Sequence, residues 1–227
     1  MVLRLRRSEH EAPVTHDFPR ASNSLLGVPK IRAASIDEHK ELTRRSLLDA
    51  AFDVIAEAGT AEVPLGEIAL AAGVGRTTFY DYFDDRDDVI ASLVEEKLPD
   101  VISELIESVP EDLATTDRLA RLASATVEFV ATDRVFGVIL HREAGRMGQE
   151  AQERIRSSHA QLATELASIY MNGVQEGVFR EMPPYLAGRL IQDTIMSAAR
   201  TLIEDDSRRK EVTEGVEAFL LGGLGSD

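Results

Sequence analysis

The sequence contains no cysteine, which removes disulfides, thiolate metal sites, zinc fingers and a cysteine nucleophile together. No stretch approaches the roughly 20 apolar residues a membrane-spanning helix needs, and the basic start from Met1 to Arg7 is not followed by the apolar segment of a secretory signal. A cytoplasmic location without membrane contact is the expectation. No segment alternates apolar and polar residues over a strand's length, so the chain reads as all-α. Catalytic signatures are missing as well. None of the five histidines has a glutamate three positions before it, as carboxylate-bridged metal bundles require. His141-Arg142-Glu143 resembles the start of a deaminase motif, yet without cysteines its zinc site is incomplete. There is no Gly-x-Ser-x-Gly elbow and no Walker loop. Neither enzymatic activity nor a metal or cofactor is expected.

What is present is the composition of a folded protein with a core: 227 residues, 44% hydrophobic and 29% charged. That length suits one large domain, or a small domain followed by a medium one. The formal net charge of −15 opposes non-specific attraction to phosphate. Its distribution is uneven. Residues 1–36 carry Pro13, Pro19, Pro29 and the polar run Ser22-Asn23-Ser24, and read as a flexible arm. Six bases against three acids make that arm basic, net +3. It is either a tail without a role or a segment that reaches phosphate or a minor groove.

From Asp37 the pattern turns helical. Leu47, Leu48, Ala51, Phe52, Ile55 and Ala56 form one apolar stripe, and Gly59 follows as a helix-ending residue. A short second helix fits Pro64 to Ala72, closed by Gly73, and a third fits Arg76 to Phe83. The fourth begins at the carboxylates Asp84 and Asp85 and continues past Pro99, where a bend is permitted. The remainder predicts helices near 112–132, 134–147, 150–177, 183–205 and 208–222, about nine in all.

The informative stretch is Ile68 to Phe83. Small Ala69 and Ala72 permit close helix approach, and Gly73 permits a sharp turn, with Val74 filling the angle. Phe79 and Phe83, four residues apart, share a buried face. Arg76, Thr77, Thr78, Tyr80 and Tyr82 are left facing outward, a set of donors suited to phosphates and base edges.

Here the chain resembles the tetracycline-repressor (TetR) family, whose DNA-binding domain has an apolar first helix ending in glycine, then a pattern close to I-A-x-x-A-G-V-S-x-x-T-x-Y-x-x-F. Residues 43–97 match in register through Leu47 to Phe52, Gly59, Ile68-Ala69, Ala72-Gly73-Val74, Thr78-Phe79-Tyr80 and Phe83. The resemblance implies a helix-turn-helix domain over 37–96 and a helical effector-binding and dimerisation domain over 97–227. It makes Arg76 to Phe83 the recognition helix of a transcriptional repressor that leaves its operator when an effector binds. Thr78 and Tyr80 become phosphate contacts, and Arg76, Thr77 and Tyr82 become candidates for base edges. Arg86 stands where the family has lysine, and Arg44 and Arg45 could clamp the flanking backbone. Gly75 replaces the usual serine, allowing close approach without a donor, and Val63-Pro64 replaces the usual capping hydroxyl. Between residues 37 and 95 five bases face fourteen acids, net −9, which predicts steep salt sensitivity.

Beyond residue 97 the resemblance is architectural. It places Phe129, Phe136, Leu140, His141, Tyr170, Met171 and Gln175 around a largely apolar effector cavity. Leu186, Leu190, Thr194, Ser197 and Thr201 on one helix, with Val212, Val216, Phe219 and Leu220 on the last, would form a four-helix seam between two copies. A homodimer sets two recognition helices about 34 to 36 Å apart on a palindromic operator in double-stranded DNA. Two other readings share these residues: a helical ligand- or protein-binding dimer that no longer engages DNA, and an activator of the same architecture.

Overall fold

A computed structural model describes residues 33–226, within which ten α-helices and no named strand are found. Most of the predicted basic arm therefore lies outside the described residues. The first helix, α1, runs Ala33–Ala58, four residues earlier than the hydrophobic stripe predicts. Alanine, glutamate, lysine and leucine between Ala33 and Leu42 favour helix even without a buried face. Gly59 then takes φ +64, the left-handed conformation that stops the helix.

Helix α2 spans Leu65–Ala71 with Pro64 in the cap position, and Gly73 at φ +71 makes the turn into α3, Arg76–Phe79. The sequence predicted α3 as far as Phe83. Instead the amides of Tyr80, Asp81 and Tyr82 bond three residues back, to the carbonyls of Thr77, Thr78 and Phe79, at 3.0 to 3.1 Å. Two β-branched threonines and an aspartate sustain an α-helix poorly, so the segment tightens into turns. Helix α4, Arg86–Glu107, starts from Asp85, whose carboxylate accepts the Asp88 amide at 2.9 Å, while Asp88 accepts the Asp84 amide at 3.0 Å. It continues unbroken through Pro99.

Helix α5 is Thr115–Thr132 and α6 is Arg134–Val138, the latter extended by a π turn over Ile139–Glu143 and a 3₁₀ turn over Ala144–Arg146. The predicted continuous helix over 150–177 is two helices, α7 (Gln149–Ser158) and α8 (Ala160–Gln175), which meet at His159. Its amide bonds only three residues back, to Arg156 at 3.2 Å, and the Ser158 hydroxyl turns to the Arg154 carbonyl; a Ser-Ser-His sequence holds a helix weakly. Helices α9 (Pro184–Glu204) and α10 (Arg209–Leu224) complete the chain.

Two cores form. One joins α1 to α4 through Leu47, Leu48, Ile55, Phe79, Phe83 and Leu93, and takes Phe136, Ile139 and Ile155 from α6, its π extension and α7. The other fills the bundle of α5, α8, α9 and α10 around Leu119, Val127, Ile169, Ile191, Ile195 and Leu220. Val216 and Leu220, predicted for a seam between copies, are buried inside the protomer. They sit on the side of α10 that packs against α5 and α9 within the protomer, and Phe219 occupies the exposed side.

Candidate nucleic-acid interface and apolar cavity

The recognition segment is held by its aromatic pair. Phe79 and Phe83 are buried with ring centroids 5.6 Å apart, and Val74 packs beside them. Burying two such rings fixes which face of the segment points outward. Arg76, Thr77 and Tyr80 lie on that face, and Thr78 is half-buried beside them. The Arg76 guanidinium bonds the Tyr80 hydroxyl at 3.4 Å and lies 5.9 Å from its ring centroid, so the two present one joined donor surface. Gly75 is exposed in extended conformation just before the helix, with no side chain between its backbone and an approaching groove.

The remaining candidates are placed differently. Tyr82 is half-buried against the first core rather than aligned with Arg76. The Arg44 guanidinium bonds Glu96 of α4 at 2.8 Å and lies 5.7 Å from the centre of the Phe83 ring, bracing α1 against α4. Arg45 pairs with Glu41 one turn back at 3.3 Å, and Arg86 lies 3.8 Å from Asp87. Arg45 is exposed, so its guanidinium can exchange a carboxylate for a phosphate.

An apolar cavity of about 480 Å³ lies where α4, α5, α8 and α9 converge. Leu98, Ile102, Phe129, Leu140, Leu162 and Leu166 form its wall. Among the residues expected there, Phe129 and Leu140 line it. Phe136 is buried in the first core, with its ring 6.4 Å from Phe52. Tyr170 is buried and stacked on Phe179, its hydroxyl donating to the Arg180 carbonyl at 3.0 Å and accepting the Met182 amide at 3.0 Å. It thereby anchors the turn before α9. Met171 and Gln175 are exposed, and the His141 side chain lies outside what the structure describes.

The polar groups that do border the cavity are Thr126, Arg156, His159, Tyr185, Arg189, Gln192 and Asp193. They come from α5, α7, the α7–α8 junction and α9, and only the packing of these helices brings them together; on the α8 side, residues 159, 162, 163 and 166 recur at helical spacing along the wall. That spacing is the signal that locates the wall.

A second polar constellation ties α7 to α4 beside the first core. The Arg154 guanidinium on α7 bonds Asp88 at 2.7 Å, Ser92 at 2.7 Å and both oxygens of Glu95 at 2.7 and 2.9 Å, all on α4. The Gly148 amide adds a bond to Asp87 at 2.8 Å. On the far side of α4, Lys97 bonds Asp49 of α1 at 2.7 Å. Burial pushes the Asp88 carboxyl up, but Arg154 together with the Asp84 amide outweighs it and holds the group below its ordinary value. Helix α4 is thus charge-paired to α1 on one side and to α7 on the other.

Buried aromatics that hold a short donor-bearing segment outward, joined through one shared helix to a bundle with an apolar cavity, define a helix-turn-helix protein able to couple DNA binding to a small molecule. The comparisons with known proteins supply the family. The model of bacterial regulatory proteins of the tetR family matches residues 47–93, and that of the tetracyclin repressor-like C-terminal domain matches residues 112–200. The chain belongs to the TetR family of transcriptional regulators. It is a DNA-binding regulator and not an enzyme.

Among its relatives, the fatty acid metabolism regulator protein of Bacillus subtilis is 28% identical over 181 residues, covering 78% of this chain and 93% of that protein. The HTH-type transcriptional repressor LfrR of Mycolicibacterium smegmatis is 50% identical over 54 residues, 24% of this chain and 28% of that one. The crystal structure of FadR from Bacillus subtilis in complex with stearoyl-CoA matches with a TM-score of 0.68 and 27% identity, covering 79% of this chain and 98% of that chain. Among the described residues no helix is long and apolar enough to cross a membrane.

Proposed function

We propose that this protein is a cytoplasmic repressor that binds a palindromic operator as a homodimer and leaves it when an apolar-tailed small molecule fills the cavity between α4, α5, α8 and α9. Residues 37–96 act as the DNA-binding unit and 97–227 as the sensing and dimerising unit. Arg76, Thr77, Thr78 and Tyr80 meet the DNA, with Gly75 admitting the backbone closely and Arg45 and Arg86 on the flanking phosphates. The exposed Leu186 and Leu190 of α9 and Phe219 of α10 supply the apolar part of the seam between copies. Thr194, Ser197 and Thr201 continue its α9 side, and Val212 its α10 side.

One observation carries this reading: Arg76 and Tyr80 are joined and exposed on a segment whose opposite face is locked by Phe79 and Phe83. The ligand class follows from the cavity's apolar wall and from the relative that holds stearoyl-CoA: an acyl thioester whose chain lies along Leu98, Ile102 and Phe129.

The test is fluorescence anisotropy with a duplex that the protein selects from a random pool, with and without stearoyl-CoA. Arg76→Ala and Tyr80→Ala should each weaken binding roughly tenfold or more, in line with about 1 to 3 kcal/mol per specific base contact. Affinity should fall linearly in log salt concentration. Unchanged affinity in both variants, with the fold intact, removes the recognition assignment. A flat salt response favours the helical ligand-binding dimer instead.

A further inference from the structure

The polar groups around the cavity are of two kinds. Arg156, Tyr185, Arg189, Gln192 and Asp193 are exposed at its edge, where Arg156 pairs with Glu153 and Arg189 with Asp193. Thr126 and His159 are set further into the protein, Thr126 buried and His159 half-buried at the junction of α7 and α8. Each of these two has its hydrogen committed. The Thr126 hydroxyl donates to the Leu122 carbonyl one turn back, at 2.7 Å. His159 Nδ1 lies 2.6 Å from the Ile155 carbonyl oxygen. A carbonyl only accepts, so that nitrogen carries the proton, and a neutral imidazole then leaves Nε2 bare.

Burial pulls the His159 pKa below its ordinary value against the opposing bond to Ile155, which keeps the ring neutral near pH 7. Two side chains at the inner wall therefore offer acceptors and no donors. An apolar ligand that brought a carboxylate here would set its oxygens against lone pairs, whereas a hydroxyl or amide N–H would find a partner.

We propose that His159 is a specificity-determining residue of the cavity: its Nε2, seconded by Thr126 Oγ1, reads an uncharged hydrogen-bond donor carried on an apolar chain. The inference rests on the cavity being the effector site. Amide N–H groups next to an acyl thioester, or a hydroxyl on the chain itself, are donors of the required kind.

Three probes of nearly equal length separate the possibilities: 1-decanol, decyl methyl ether and decanoate, each measured at pH 8 by displacement of Nile red. Decanol should bind about tenfold tighter than either of the others, a preference equivalent to about 1.4 kcal/mol. His159→Phe should erase that preference while leaving the ether within about twofold of its original affinity. His159→Gln, which restores an acceptor, should recover part of it. Thermal unfolding of both variants verifies the fold, and the glutamine variant keeps the test open if the phenylalanine variant fails to fold. Equal binding of all three probes to the unaltered protein overturns the His159 assignment and leaves the cavity standing as a ligand site. A decanol preference that survives in both variants also overturns it. If Nile red binds and none of the three probes displaces it, the cavity is not a site for such chains, and the effector reading falls with the His159 assignment.

Discussion

Arg154→Met tests the link between α7 and α4. The methionine keeps the length of the apolar stem and removes the guanidinium that spans Asp88, Ser92 and Glu95. A hydrogen bond to a charged group contributes about 1.5 to 3 kcal/mol net when well shielded, and an exposed ion pair about 0 to 1. Arg154 is 28% exposed, and its partners Asp88 and Glu95 are 27% and 38% exposed, so the site lies between those limits. Its loss also leaves two carboxylates, Asp88 and Glu95, two turns apart on α4 and unopposed from α7. A destabilisation of about 2 kcal/mol follows. At roughly 2 to 4 °C per kcal/mol for a chain of this size, the Tm should fall by about 4 to 8 °C. Differential scanning calorimetry at 50 mM salt reads this directly. Arg156→Met is the control: that side chain is 65% exposed and pairs only with Glu153 one turn earlier, so its Tm should move by less than about 1 °C. Equal shifts for the two variants, or none for Arg154→Met, would refute the claim that α7 holds α4 through charge.

Three further outcomes follow from single features. Gly173→Ala would put a Cβ about 2.0 Å from the Phe179 ring, which is buried and stacked on Tyr170; overpacking of this kind costs about 1 to 3 kcal/mol, visible as a lower Tm. His159 has its pKa lowered on folding, so the unfolded chain binds the proton more tightly. Stability is then unaffected above pH 6.5 and declines as pH falls below it. His159→Gln should remove that part of the acid loss, seen as Tm against pH for the two proteins. Asp88 is shifted down by its partners, so its contribution is intact above 3.8 and disappears below it; Asp88→Asn should therefore flatten the acid limb only in that lower range.

Helical periodicity and glycine placement made most of the fold legible. Gly59 and Gly73 stand at positive φ where turns were expected, and Phe79 with Phe83 is buried as their spacing implies. What the sequence could not resolve are the choices made by tertiary bonding. Tyr170 looks like a cavity residue by composition, but its hydroxyl is consumed by the backbone around Arg180 and Met182. Arg44 looks like a phosphate clamp by position, yet Glu96 and Phe83, which hold it, lie 52 and 39 residues away in sequence. Val216 and Leu220 have the apolar character a seam requires, and only the packing of α10 reveals that they face inward. The break at His159 is a local effect of weak helix formers, which the apolar periodicity over 150–177 does not register.

The same ion pairs bear on the acidity of the DNA-binding unit. Its net charge of −9 over residues 37–95 counts Asp49, Asp88 and Glu95 as free, although Lys97 and Arg154 from outside that range pair with them. Much of the negative charge is thereby committed to holding α4 in place. Asp81 is different: it is exposed in the turn right after α3 and takes part in no ion pair among the described residues. A carboxylate about 8 Å from a phosphate in water costs roughly 0.5 kcal/mol, and a dimer has two. Asp81→Asn should therefore tighten operator binding about threefold at 50 mM salt, where screening roughly halves that cost, with the gain fading toward 0.5 M as the Debye length contracts to a few ångströms. Anisotropy titrations at the two salt concentrations measure it. If Asp81→Asn instead weakens binding at both, the carboxylate is accepting a hydrogen bond from a base edge, cytosine N4 being the donor that carboxylates read. Asp81 would then belong to the recognition surface together with Arg76 and Tyr80.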